Sequence, residues 1–246
     1  MNGLKQVSLA LATAGVLGSD LAQAALNDRG GGLLYDDVLN VTWLQDANYA
    51  KTSGYDDDGR MNWSAAKTWA ANLVFGGYDD WRLAANTPVG ADWNYYYSPN
   101  APDGSTDIGY NITSPKSELS YMYYVNLGLK GFYSPAGEYQ PDFGIFGNGS
   151  YLGGQADVGL VKNLQSFVYW SGTAIATDPG SSAWIFDTGD GDQDDFNHGG
   201  QFYAWAVLPG DVAAAVPEPE TYAMLLAGLG LLGMAARRHC RSLGAS

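Results

Sequence analysis

The sequence predicts an α+β fold built on small antiparallel sheets, and three observations point there. Short strand-like runs occur near both ends of the central region, two helical stretches lie between them without βαβ alternation, and the longest connections are rich in glycine, proline and polar residues. In chain order, residues 32–37 and 38–44 read as two strands across a polar turn. Residues 45–58 form a polar loop that ends in Asp56-Asp57-Asp58. A helix follows: Asn62 suits the N-cap, Ala66, Trp69, Ala70 and Leu73 fall at i, i+3, i+4 and i+7, and Gly76-Gly77 closes it. The run 78–83 suits a strand edge or a fixed turn, and 87–113, with no sustained period, a long surface loop. Ser114 and Pro115 predict a second helix start with Glu118 in its first turn, Leu119, Met122, Tyr123 and Asn126 or Leu127 on its inner face, and Gly128 at its end. Residues 131–159 are glycine-rich and aperiodic, and the runs 167–171, 183–186 and 201–207 are expected as strands.

Residues 25–212 carry eight Lys and Arg against 23 Asp and Glu, a formal charge of −15. Such a surface repels nucleic acid, so no nucleic-acid partner is expected. The single cysteine, Cys240, lies close to the C-terminus, which leaves the domain without a disulfide framework. It must hold by packing, and Trp43, Trp63, Trp69, Trp81, Trp170, Trp184 and Trp205 are the expected core.

The two ends read as addresses. Lys5, the apolar run 7–18 and Ala22-Gln23-Ala24 make a signal helix over residues 1–24, cut by signal peptidase before Ala25. At the other end come Pro217-Glu218-Pro219, an apolar stretch 221–236 containing Tyr222, Leu225, Leu226, Leu229, Leu231 and Leu232, and then Arg237, Arg238 and Arg241. As a helix that stretch spans roughly 24 Å, somewhat short of a bilayer core of about 30 Å, and the arginines hold its end on the cytoplasmic side of the inner membrane. These three elements in this order over 213–241 resemble the PEP-CTERM sorting signal of Gram-negative bacteria that make exopolysaccharide. The resemblance implies an exosortase that cuts near Pro217-Glu218-Pro219. It also implies an exported protein, anchored by the tail until processed and then placed at the cell surface or in the extracellular matrix.

The words Tyr35-Asp36-Asp37, Thr42-Trp43-Leu44-Gln45-Asp46-Ala47, Gly59-Arg60-Met61-Asn62-Trp63, Gly77-Tyr78-Asp79-Asp80-Trp81-Arg82-Leu83, Tyr169-Trp170-Ser171-Gly172-Thr173 and Tyr203-Ala204-Trp205-Ala206-Val207 resemble the Lcl C-terminal domain family. That resemblance covers about residues 30–210 and implies a C-type-lectin-like fold over residues 25–212: two helices and small antiparallel sheets under long loops. Ala84 stands where the family usually has proline, the domain lacks cysteine, and the 131–159 loop is longer than usual.

Chemistry finds few footholds. His198 is the one histidine of the domain and sits among Asp194, Asp195, Asn197 and glycines, a poor setting for a general base. Walker, Rossmann and HExxH patterns are absent, and the formylglycine-generating enzymes of similar fold depend on cysteines; we therefore expect no enzyme and no cofactor. Asp187, Asp190, Asp192 and Asp194, with Asp195, fall within nine residues, and Asp56-Asp57-Asp58 form a second cluster. Both are candidate Ca²⁺ ligands that do not fit an EF-hand, and solvated turns are the simpler reading. Gln140-Pro141-Asp142 resembles the sugar-selecting tripeptide of C-type lectins without its Trp-Asn-Asp partner. Trp93, Tyr95, Tyr96 and Tyr97, with Tyr110 nearby, are candidate glycan-stacking residues, with loop packing as the alternative. Carbohydrate or matrix binding is the expected function. The alternatives are a structural envelope role and, less favoured, a hydrolase with two close carboxylates of separated pKa.

Overall fold

The computed structural model describes residues 26–96, 102–151, 153–213, 224–227 and 229. Along the chain run β1 (Leu26–Gly30), β2 (Leu33–Asp36), β3 (Val41–Leu44), a helical turn α1 (Tyr49–Thr52), β4 (Arg60–Met61), α2 (Trp63–Ala71), β5 (Arg82–Leu83) and α3 (Glu118–Tyr121), which continues as a π-helical turn, Met122–Asn126. Then come β6 (Gln155–Val158), β7 (Val161–Gln165), β8 (Val168–Ala174), β9 (Ser182–Asp187), β10 (Asp192–Asn197), β11 (Phe202–Ala204) and β12 (Ala206–Pro209). One five-stranded sheet has the order β1-β2-β3-β12-β5, the other β10-β9-β8-β11-β4, and β6-β7 is a separate hairpin.

The class is mixed α+β, mostly sheet with few helices. The expected run 201–207 is two strands, because the chain changes sheets at Trp205. Its buried indole lies 4.7 Å from that of Trp43 and donates to the Leu44 carbonyl at 2.7 Å. One consequence is a parallel pair, β11 beside β8, where only antiparallel pairing was expected. Trp170 is fixed in the same way, with its Nε1 donating to the Met61 carbonyl at 2.8 Å. Of the expected core tryptophans only Trp63 is half-buried.

α2 starts as expected, the Asn62 side chain accepting from the Ala65 amide at 2.9 Å, and it buries Ala66, Trp69 and Ala70. It stops at Asn72, before the glycine pair. Gly76 and Gly77, at φ +64° and +90°, instead make a two-residue turn across which Phe75 and Tyr78 exchange both backbone hydrogen bonds.

The second helix begins at Glu118 rather than after Ser114. The preceding backbone is already committed elsewhere: Thr87 N–H donates to the Lys116 carbonyl and Glu118 N–H to that of Ala85. Glu118 is drawn inward by a bidentate pair with Arg82, both contacts 2.7 Å, and by the Ala85 amide. The long loop 87–113 is not purely surface, since Asp107, Ile108, Tyr110 and Ile112 are buried. β1, β4, the β6-β7 hairpin and β10 were not expected.

Candidate functional site

Alternate residues of a strand share a face. The register Asp192↔Asp187 and Asp194↔Ile185 therefore puts Asp187, Asp192 and Asp194 on one side of β9 and β10, with Phe196. Together with Val168, Phe202 and Asp190 of the connecting turn, they line a pocket of about 360 Å³. The turn is held by its own carboxylates: Asp187 Oδ1 accepts from the Gly189 amide at 2.8 Å and Asp190 Oδ1 from the Asp192 amide at 3.0 Å. Tyr110 donates to Asp190 Oδ2 at 3.2 Å, whereas Asp192 Oδ1 is buried without a hydrogen-bond partner.

Burial, and then repulsion from neighbouring aspartates, pushes Asp192 up to about 8 and Asp190 up to about 7. Asp187 and Asp194 are also raised, by burial above all. All four are raised, burial being the leading cause in each. The four candidate Ca²⁺ ligands thus share a pocket, but among the described residues no three acidic or imidazole groups are arranged to hold a metal ion. Asp56 and Asp58 serve a turn and an ion pair: Asp56 Oδ1 accepts from the Asp58 and Gly59 amides, and Asp58 meets Arg60 at 2.6 Å.

Beside this pocket lies a feature that sequence reasoning missed. Phe132 stands 5.0 Å from Tyr139, 5.1 Å from Phe143 and 5.9 Å from Tyr151, ring to ring, and Phe143 stands 4.8 Å from Tyr151. Phe143 is buried beneath the cluster, while Tyr139 and Tyr151 are 56% and 49% exposed. Bare backbone seats this loop on the β9–β10 turn. Phe132 N–H donates to the Asp190 carbonyl at 2.7 Å, and a Cβ at Gly144 (φ +81°) would stand 2.6 Å from the Gly189 carbonyl oxygen. Rings and carboxylates are close enough to interact: Tyr151 is pushed up to about 12, by burial first and then by the charges of Asp190 and Asp187. The available sequence signal was six aromatic residues between 132 and 151 in a glycine-rich loop.

The expected glycan residues divide. Trp93 and Tyr95 lie 5.0 and 5.7 Å from Trp184, within 25° and 9° of parallel, in a small cluster with Ile108 and Ile175, so their main contact is the fully buried indole. Tyr96 is 68% exposed, and Tyr97 lies outside the described residues. Tyr110 is buried rather than exposed. The Gln140-Pro141-Asp142 side chains are engaged: Gln140 donates to the Gly131 carbonyl at 2.8 Å and Asp142 pairs with Lys130 at 2.5 Å. His198 stacks on Trp63 at 4.1 Å, a packing role.

Ala22, Ala24, Ala25, Pro217, Glu218, Pro219, Tyr222, Leu231, Leu232, Arg237 and Arg238 lie outside the described residues. Leu225, Leu226 and Leu229 are helical and exposed, and no helix among the described residues is long and apolar enough to cross a membrane. No curated protein and no solved structure matches the chain. Residues 215–239 match the family described as the PEP-CTERM protein-sorting motif, which marks the chain as a protein exported and sorted by an exosortase toward the cell surface.

Proposed function

We propose that the exported body is a lectin-like binding module for carbohydrate or matrix, and that it binds without turning its ligand over. The observation that carries this reading is the exposed aromatic cluster of Tyr139 and Tyr151 around Phe132, on a loop seated against the turn that carries Asp190. Flat rings bury the C–H faces of sugars while nearby carboxylates accept from their hydroxyls. The reading rests on the rings of the 131–151 loop rather than on Trp93 and Tyr95, which are stacked on Trp184. The tail anchors the protein in the inner membrane until the exosortase cuts near Pro217-Glu218-Pro219.

A glycan panel probed with the purified full chain tests the proposal. Binding should weaken by about tenfold or more in Tyr139→Ala and Tyr151→Ala and stay unchanged in Tyr55→Ala, a loss of about 1.4 kcal/mol per decade. Chromatography of the recovered glycan should show no shortened product. Failure to bind any glycan would overturn the reading, as would loss of binding in Tyr96→Ala with the two loop tyrosines indifferent.

A further inference from the structure

We infer that the ligand of this aromatic surface is a cationic glycan, a polysaccharide whose sugars carry free amino groups. The inference rests on the carbohydrate reading above and narrows it by charge.

The exposed rings of Tyr139 and Tyr151 provide a stacking surface for sugar faces. Three features around it select a positive charge. The adjoining pocket combines four carboxylates with the rings of Phe196 and Phe202, and aromatic faces and carboxylates both attract an ammonium group. Among the residues lining that pocket there is no Lys, Arg or His to neutralise the aspartates. The nearest cation on the aromatic loop, Lys130, is paired with Asp142 on the same loop. The domain as a whole carries a formal charge of −15, so an anionic polymer is repelled on approach and a cationic one is steered in. An ammonium group entering the pocket that Asp190 and Phe202 line meets both a carboxyl and a ring, and its charge favours ionisation of aspartates that burial and mutual repulsion otherwise keep protonated, whereas a neutral sugar brings no such charge. Calcium is not required, since the charge that offsets the carboxylates comes with the ligand.

The test compares a glucosamine hexasaccharide with the N-acetylglucosamine hexasaccharide by calorimetry on the purified full chain, at low and high salt and with a chelator present. We expect the amine form to bind at least about tenfold more tightly, to lose affinity as salt rises, and to ignore the chelator. Tyr151→Ala and the pair Asp187→Asn with Asp190→Asn should each weaken it by about tenfold, while Tyr151→Phe, which keeps the ring, should bind as the parent does. Thermal unfolding of each variant separates lost binding from lost fold.

Equal binding of both hexasaccharides, still sensitive to Tyr151→Ala, overturns the cationic ligand and leaves the carbohydrate reading standing. Binding of the amine form that is indifferent to Tyr151→Ala, or matched by an oligolysine of equal charge, reduces the effect to bulk attraction and overturns the inference. Binding of neither form overturns it as well, and the glycan panel then decides the broader reading by itself.

Discussion

Replacing Asp192 by Asn should make the protein more stable at alkaline pH, against the usual expectation for loss of a native charge. Asp192 is largely buried, its Oδ1 has no hydrogen-bond partner, and Asp190, Asp194 and Asp187 add repulsion. Its pKa stands at about 8 in the folded chain against an ordinary 3.8. Folding therefore takes up a proton between these values, and stability present below about pH 4 is lost as pH rises toward about 8. At 1.36 kcal/mol per pH unit the ceiling is roughly 6 kcal/mol, and about 2–3 kcal/mol is a fairer figure because Asp190 shares the same repulsion. Melting curves from about pH 5 to about pH 9 check this. The parent should lose stability steadily, and Asp192→Asn should follow a flatter line and lie above it at the alkaline end. The reasoning is refuted if the parent is as stable at the top of that window as at the bottom, or if the two curves run parallel.

Glu118→Ala should cost about 2–3 kcal/mol in denaturant unfolding, because it strands the Arg82 guanidinium and the Ala85 amide that the carboxylate now satisfies. Gly144→Ala should cost about 2 kcal/mol or more and abolish glycan binding, since a Cβ there meets the Gly189 carbonyl at 2.6 Å and forces the aromatic loop off the β9–β10 turn. In a host that carries the processing enzyme, Glu218→Ala should leave the C-terminal tail attached, visible as an unreduced mass of the recovered protein.

What was legible in the sequence was whatever is decided locally. α2 announced itself through the Asn62 cap and the spacing of Ala66, Trp69 and Ala70, and β2 and β3 through their short hairpin. The sorting motif is legible because an enzyme must read it as a linear string. β10 was hidden because Asp192-Gln193-Asp194-Asp195 has little strand propensity, and its extended form comes from six paired positions on β9. The false start at Ser114 has the same origin: residues 116–118 are bonded to 85–87, about thirty positions away, and that pairing overrides the cap. The candidate site was hidden for a related reason. Tyr139 and Tyr151 are unremarkable in a glycine-rich loop until Gly144 and Gly131 let that loop press against the turn carrying Asp190.

The bidentate clasp between Arg29 and Asp211, both contacts 2.7 Å, bears on how the protein resists being pulled. Load applied to the chain from its C-terminal side meets the bonds of Ala213 to Tyr78 and of Val212 to Thr42, then that clasp, and then β12. That strand lies inside its sheet, bonded to β3 on one flank and β5 on the other, so load cannot peel it away one bond at a time and must shear two ladders together. A pull from the C-terminal side is thus resisted by a strand held on both flanks rather than by an edge.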